Sequence, residues 1–212
     1  MKRKAYIYLA IIIIIASFIV VYPRLRPGNL KTVAQKVRLT DDIKYAVLVD
    51  YGRHSGRNRL FVWDYEKDKV VLSSPCAHGY GGGSTARHCV FSNKIGSGCS
   101  SEGRYTLEKE RQMYQFPGRR CFPVKGLDKG KNDNAGKRAI LIHPARMPSF
   151  PIYPFLIPVR VINLGFWTIR PASGGCITIP GKQYEELRKI VAASGVKHVM
   201  LYVYDSSSLK DS

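Results

Sequence analysis

Residues 5–22 read AYIYLAIIIIIASFIVVY, a run without charge or proline, preceded by the basic MKRK of residues 1–4. As a helix the run spans about 27 Å, close to the hydrocarbon thickness of a bilayer. It has no polar face, which argues against a buried helix of a soluble domain. Tyr6, Tyr8 and Tyr22 fall near the two interfaces, where aromatic rings settle. A cleaved signal peptide needs a shorter apolar core and a small-x-small site, and no such site precedes Pro23. The expectation is a single transmembrane helix kept as a signal anchor. Lys2, Arg3 and Lys4 flank one side, and Arg24, Arg26, Lys31, Lys36 and Arg38 the other. The local charge count therefore does not favour export of the C-terminal part, although long domains translocate largely regardless of it.

The 212-residue length suits one domain beyond that anchor, and 45% apolar residues exclude a disordered chain. No repeat of solenoid length is present. Of 34 Lys and Arg, five lie in the first 26 residues with no acid, so 29 face 15 acidic residues in the remainder, a surplus of +14. Such a domain favours anionic partners, here an envelope polymer or lipid, unless the charge only solubilises. Nucleic acid is not expected, because zinc-finger spacing, a basic recognition helix and an RNA-binding aromatic signature are all missing.

Residues 23–44 read as a juxtamembrane linker with a short amphipathic stretch, residues 45–205 as the folded domain and 206–212 as a tail. Short runs rich in β-branched and aromatic residues predict strands at 45–51, 59–65, 70–73, 103–107, 121–125, 138–143, 176–179 and 197–204. Lys67-Asp68 is placed as a hairpin turn, and 79–84 (GYGGGS) and 129–136 (KGKNDNAG) as loops. One helix is expected, at 183–193, with Tyr184, Leu187, Ile190 and Val191 on one face. The sum is a mainly β domain with one late helix.

Cys76, Cys89, Cys99 and Cys121 cluster, and Cys176 stands apart. Pairing of the four would favour an oxidising compartment and leave one free thiol. Five reduced, buried cysteines are the alternative. Zinc on Cys76, His78, His88, Cys89 and Cys99 is a further reading, but the spacing is not the usual C-x2-C knuckle, and no metal or cofactor is expected.

The segment Ser173-Gly174-Gly175-Cys176 carries the chemistry. Glycines allow a tight turn and close approach of a substrate. Backbone N–H groups beside a thiol suit a developing oxyanion, and a thiolate needs a base. His143, at the end of a predicted strand, is the best candidate for that base, against the plain reading of a hydrogen-bonded core histidine.

The ordered series His78-Gly79, Phe91-Ser92-Asn93, Gly96-Ser97, Ser100-Ser101-Glu102-Gly103-Arg104-Tyr105, Asn132-Asp133-Asn134-Ala135, Arg138 to His143 and Ser173 to Cys176 resembles the murein L,D-transpeptidase catalytic domain family, of YkuD-like fold. The resemblance implies a β-sandwich or partial barrel with a cysteine in a cleft. It implies cleavage of peptidoglycan tetrapeptide stems through a Cys176 acyl-enzyme, with transfer to an amine or, in carboxypeptidase members, to water. It makes His143 the base, the Pro144 backbone carbonyl its orienting group, and the Gly175 and Cys176 amides the oxyanion site. Ser173, Gly174, His78, Ser92, Asn93 and Arg138 would shape or contact the substrate. For Ser92 and Asn93 the plain reading is turn chemistry, and for Arg138 a solvated charge. The match departs from the family at Gly174, where many members carry histidine, and at Ile177 and Thr178, where a basic residue is often found. It also departs in the long aromatic, proline-rich stretch 148–167. Peptidoglycan lies outside the cytoplasmic membrane, so the domain is expected on the periplasmic or extracellular side. A non-catalytic peptidoglycan-binding module and a zinc-stapled, polymer-binding domain are the competing readings.

Overall fold

The computed structural model describes residues 27–55, 57–145 and 173–208. The predicted anchor at 5–22, the whole 148–167 stretch and the last four residues lie outside this set. No helix among the described residues is long and apolar enough to cross a membrane.

Three strands show why the domain has two faces to cover. β1 (Tyr45–Asp50), β2 (Asn58–Asp64) and β9 (Val199–Tyr204) are apolar almost without interruption. Side chains alternate across a strand, so an unbroken apolar run needs packing on both sides. Val47, Val49, Leu60, Val62, Leu201 and Val203 enter the larger core. Ala46, Leu48, Phe61, Trp63, Met200 and Tyr204 point the other way into a second core. β1 and β9 pair in parallel from Tyr45–Val199 to Asp50–Tyr204.

The second core is covered by α1 (Pro27–Val37), whose Leu30, Val33, Ala34 and Val37 are buried there. This corrects two expectations. Among the described residues there are two α-helices rather than one late helix, and most of the supposed linker is folded into the domain. The short amphipathic run was legible, but nothing local announced the apolar sheet face that stabilises it. Side-chain bonds hold it in place. The Tyr65 hydroxyl donates to the Ala34 carbonyl at 2.6 Å, and Lys31 pairs with Asp68 in the β2–β3 turn.

β3 (Lys69–Pro75) pairs with β2 across the Lys67-Asp68 turn, where Asp64 caps two backbone amides. β4 (Gly103–Leu107) joins β9 on the other side, followed by β6 (Phe116–Gly126), β7 (Leu141–Pro144) and β8 (Ile177–Ile179). The order is β3-β2-β1-β9-β4-β6-β7-β8, with a short β5 (Arg111–Met113) paired to β6. The β5–β6 hairpin was not foreseen, because its Arg, Gln and Gly content gives no apolar alternation. Strand β7 starts later than expected, since residues 138–140 belong to a turn in which Ala139 has φ 51°.

The sheet then meets itself. Just beyond β3, Ala77 pairs antiparallel with Thr178 of β8, its N–H donating to the Thr178 carbonyl at 2.8 Å. Gly79 bridges Ser173 in parallel. This short seam turns the sheet into a partly closed barrel, as the expected fold class had it. The larger core fills it, and α2 (Gly181–Ser194) adds Tyr184, Leu187 and Val191 from the side.

Leu30→Ala is expected to lower stability by about 2 kcal/mol or more, the usual cost of emptying a buried leucine site. Urea unfolding with an unchanged m-value would show it; a change within about 0.5 kcal/mol, typical of surface substitutions, would mean α1 is not part of the cooperative core.

Candidate active site at the seam

The register of β7 on β8 assembles the site. The strands are parallel, with Ile142 opposite Ile177 and His143 opposite Thr178. Ile142 and Ile177 point into the core. By alternation Leu141, His143 and Thr178, together with Cys176 just before β8, share the outer face. All four line one cleft of about 540 Å³. Cys176, two residues before the Thr178 that faces His143, is thus its diagonal neighbour across the two chain segments.

His143 Nδ1–H donates to the Pro144 carbonyl at 3.0 Å. That bond sets the tautomer and leaves Nε2 as the basic nitrogen, which accepts from the Thr178 hydroxyl at 3.2 Å. Burial holds the imidazole below its ordinary pKa of 6.5, the Pro144 carbonyl works against this, and the positive charge of Arg119 adds to it. His143 is therefore a neutral base near pH 7. Thr178 is the site residue that the sequence reading passed over as the place of a missing cation. Its signal was strand period, since it stands two residues after Cys176.

The Cys176 thiol is turned toward the Ala139 carbonyl at 3.7 Å. Burial raises its pKa above 9.0, the Leu141 amide lowers it, neighbouring Cys121 raises it and Arg138 lowers it. Ala139 sits in the left-handed region, unusual for a residue with a Cβ, and its carbonyl is one wall of the thiol's niche.

Ser173 closes the turn before the cysteine. Its hydroxyl donates to the Cys176 carbonyl at 2.7 Å and accepts from the Gly175 N–H at 3.1 Å. The Gly175 amide, expected at the oxyanion, is engaged with Ser173 in this structure. Gly175 has φ 117°, and a Cβ there would stand 2.5 Å from the Cys99 carbonyl oxygen. Gly174 faces open space and lines the cleft.

Of the other expected residues only Arg138 reaches the cleft. Arg138 lines the cleft, yet its guanidinium donates to the Ser92 carbonyl at 2.7 Å, to the Ser97 hydroxyl at 3.4 Å, and to the Ser101 hydroxyl and Cys99 carbonyl. It clamps the 92–101 loop and meets no acid there. Asn93 donates to Asp133 at 2.7 Å and accepts from the Asn134 amide at 3.2 Å, so the Ser92-Asn93 and Asn132-to-Ala135 motifs grip each other. Neither Ser92 nor Asn93 lines the cleft.

His78 is fully buried beneath the seam. Its Nδ1 accepts from Arg59 Nη2 at 2.6 Å, so Nε2 carries the proton, and Nε2 has no hydrogen-bond partner. Burial first, then the Arg59 charge, push its pKa down to about 3, while the Thr85 backbone, beyond hydrogen-bond distance of Nε2, pulls the other way. All five cysteines are free, four of them buried. Of the readings open at the sequence level, the reduced one matches the structure. Among the described residues no three His, Cys, Asp or Glu side chains converge as metal ligands.

A thiol just before β8 and an imidazole on the adjacent β7, lining one cleft, are the parts of a cysteine-dependent enzyme. Residues 28–204 match the L,D-transpeptidase catalytic domain family, and the chain belongs to it. Three solved structures are similar to parts of this chain. Bd1075 of Bdellovibrio bacteriovorus has 17% identity and a TM-score of 0.43, covering 79% of this chain and 50% of that one. L,D-transpeptidase 3 of Mycobacterium tuberculosis, in complex with a faropenem-derived adduct, has 12% identity and a TM-score of 0.40, covering 76% of this chain and 60% of its own. The L,D-transpeptidase of Xylanimonas cellulosilytica has 12% identity and a TM-score of 0.38 at the same coverages. The chain thus spans half to three-fifths of the length of these structures. Among curated proteins none matches.

His78 yields a pH prediction. The unfolded histidine takes a proton near pH 6.5 and the folded one only near 3. Below pH 6.5 the unfolded state therefore binds more protons, and stability falls by up to about 1.4 kcal/mol per pH unit until pH 3. Urea titrations between pH 7 and 4 should show this slope in the wild type and a shallower one in His78→Gln, which keeps an acceptor for Arg59. Parallel slopes would show that His78 titrates normally.

Proposed function

We propose that this protein is a membrane-anchored L,D-transpeptidase that remodels peptidoglycan through a Cys176 acyl-enzyme. The observation that carries the proposal is the single face shared by Cys176, His143 and Thr178, with His143 held by the Pro144 carbonyl. Membership of the L,D-transpeptidase family supplies the substrate class, the tetrapeptide stem of peptidoglycan.

The reaction runs as follows. His143 Nε2 takes the Cys176 proton once the Thr178 hydroxyl yields its place. The thiolate attacks the carbonyl that precedes the terminal D-residue, forming a C–S bond and an oxyanion. The Cys176 amide faces that oxygen, and the Gly175 amide joins it by exchanging its bond to Ser173. Collapse breaks the C–N bond, and imidazolium protonates the departing amine. An acceptor amine, deprotonated by His143, then displaces the sulfur and regenerates the thiol. Water in the acceptor's place would make the same enzyme an L,D-carboxypeptidase.

Position follows from substrate. Peptidoglycan lies outside the cytoplasmic membrane, so residues 5–22 are assigned as an anchor with the domain on the periplasmic or extracellular side. The free cysteines lend no support to an oxidising compartment, so this placement rests on the substrate and the apolar run.

The test is incubation of the full chain with a tetrapeptide-stem muropeptide and a free D-amino acid, read by mass spectrometry. An exchanged or cross-linked product in the wild type, absent with Cys176→Ala, is expected. A shortened stem alone would mean carboxypeptidase. A folded protein that never acquires an acyl group on Cys176 would be a binding module instead, with the thiol facing Ala139 and the base held by Thr178.

The thiol's raised pKa gives a second prediction. In His143→Gln, alkylation of Cys176 by iodoacetamide should climb about tenfold per pH unit from pH 7 to 9 without levelling. A plateau below pH 8 would show that the niche stabilises the thiolate without the histidine.

A further inference from the structure

The β5–β6 hairpin brings two arginines to the cleft that no acid answers. In its register Arg111 lies opposite Cys121, and Gln112 opposite Arg120. Alternation puts Arg120 on the reverse of the face that carries Arg111 and Cys121. The pairing shifts just beyond Gln112, and Arg119 stands at that irregularity. The reverse face is neutralised, since Arg120 pairs with Glu110 at 2.8 Å and Glu110 also takes Arg188. The cleft face is not. Arg111 and Arg119 both line the cleft beside His143 and Cys176, and neither has an ion pair among the described residues. Among the described residues no Asp or Glu lines the cleft. Each guanidinium lies over an aromatic ring, Arg119 at 5.6 Å from Phe116 and Arg111 at 4.8 Å from Tyr114. Stacking of this kind holds the planar cation in place and leaves its edge donors free. Arg119 is close enough to depress the His143 pKa.

We propose that Arg119, supported by Arg111, forms a carboxylate subsite that takes the free C-terminal carboxylate of the stem's departing D-residue. The proposal rests on the transpeptidase reading and adds to it which end of the donor is recognised. The departing amine must reach His143 to be protonated, and in an α-amino acid the carboxylate is one carbon away from that nitrogen. A cation that lines the same cleft as the thiol and the imidazole is therefore placed for that carboxylate, whereas acids earlier in the stem lie on the acyl side of the thiol. A fork of guanidinium donors suits a planar carboxylate, and charge-assisted bonds of this kind are worth about tenfold or more in affinity.

The test uses full-length Cys176→Ala protein, which binds without turnover. Its partners are a tetrapeptide stem with a free C-terminal carboxylate and the same stem as the C-terminal amide, compared by calorimetry. The acid should bind at least about tenfold more tightly than the amide, with the gap narrowing as salt rises. Adding Arg119→Gln should drop the acid to the level of the amide and leave the amide within about twofold, while Arg119→Lys keeps part of the preference. Thermal melts confirm that each variant folds. Equal binding of acid and amide, equal weakening of both by Arg119→Gln, or no binding of either overturns the subsite. Wild-type turnover is measured in parallel. Turnover without preference for the acid sinks the subsite alone, and preference in binding without turnover sinks the enzyme reading alone.

Discussion

Arg59 is buried to 0% exposure with no carboxylate in ion-pair range among the described residues, and the geometry of the site hangs from it. Burying a guanidinium is costly unless its donors are met. Here Nε donates to the Cys76 carbonyl at 2.5 Å, Nη1 to the Arg53 carbonyl at 3.3 Å, and Nη2 to His78 Nδ1 at 2.6 Å. The Tyr51 ring covers the cation at 4.8 Å. Three of these contacts grip the segment that runs from Cys76 to His78 or the tyrosine whose hydroxyl bonds Ala77 at 3.1 Å. That segment is the near side of the seam, so the arginine of β2 holds the strand on which β8 closes.

Closure decides where the thiol stands. Ala77 fixes Thr178, and Gly79 fixes Ser173, so both ends of the Ser173-to-Thr178 segment are pinned by backbone bonds to one strand. Gly79 also lets the 98–100 segment pack against the seam, because a Cβ there would lie 2.3 Å from the Gly98 carbonyl oxygen. Cys176 is carried between the two pins, and β7 supplies His143 from the opposite side. The imidazole is therefore set by strand β7 and the thiol by a pinned turn one residue before β8, and such rigid support positions reacting groups accurately.

Behind this face a ring of polar loops replaces a second apolar layer. Arg138 knits Ser92, Ser97, Cys99 and Ser101, and Asn93 joins Asp133 and Asn134. Loops with few apolar side chains must satisfy their backbone groups by such bonds. Their motifs read as site residues because they sit near the cysteine in space. Their observed bonds are structural, which explains why several short polar motifs recur in order along the chain without all lining the cleft.

The strands, the late helix and the Ser173-to-Cys176 turn were legible in sequence because their signals are local: alternation, a 3.6-residue face, and glycines beside a thiol. The fold family followed from the order of short motifs. What escaped were features whose cause lies elsewhere in the chain. Residues 27–37 are a helix because a distant sheet offers an apolar face, and the arginine-rich β5 is a strand because β6 accepts its backbone bonds. His78 and Arg59 are a buried pair only because β2 and the seam meet. Thr178 meets His143 only because β7 and β8 run parallel in one register. The sequence by itself determined which residues carry reactive chemistry. The tertiary structure decided which of them share a face, because pairing register and barrel closure depend on backbone bonds between segments far apart in the chain.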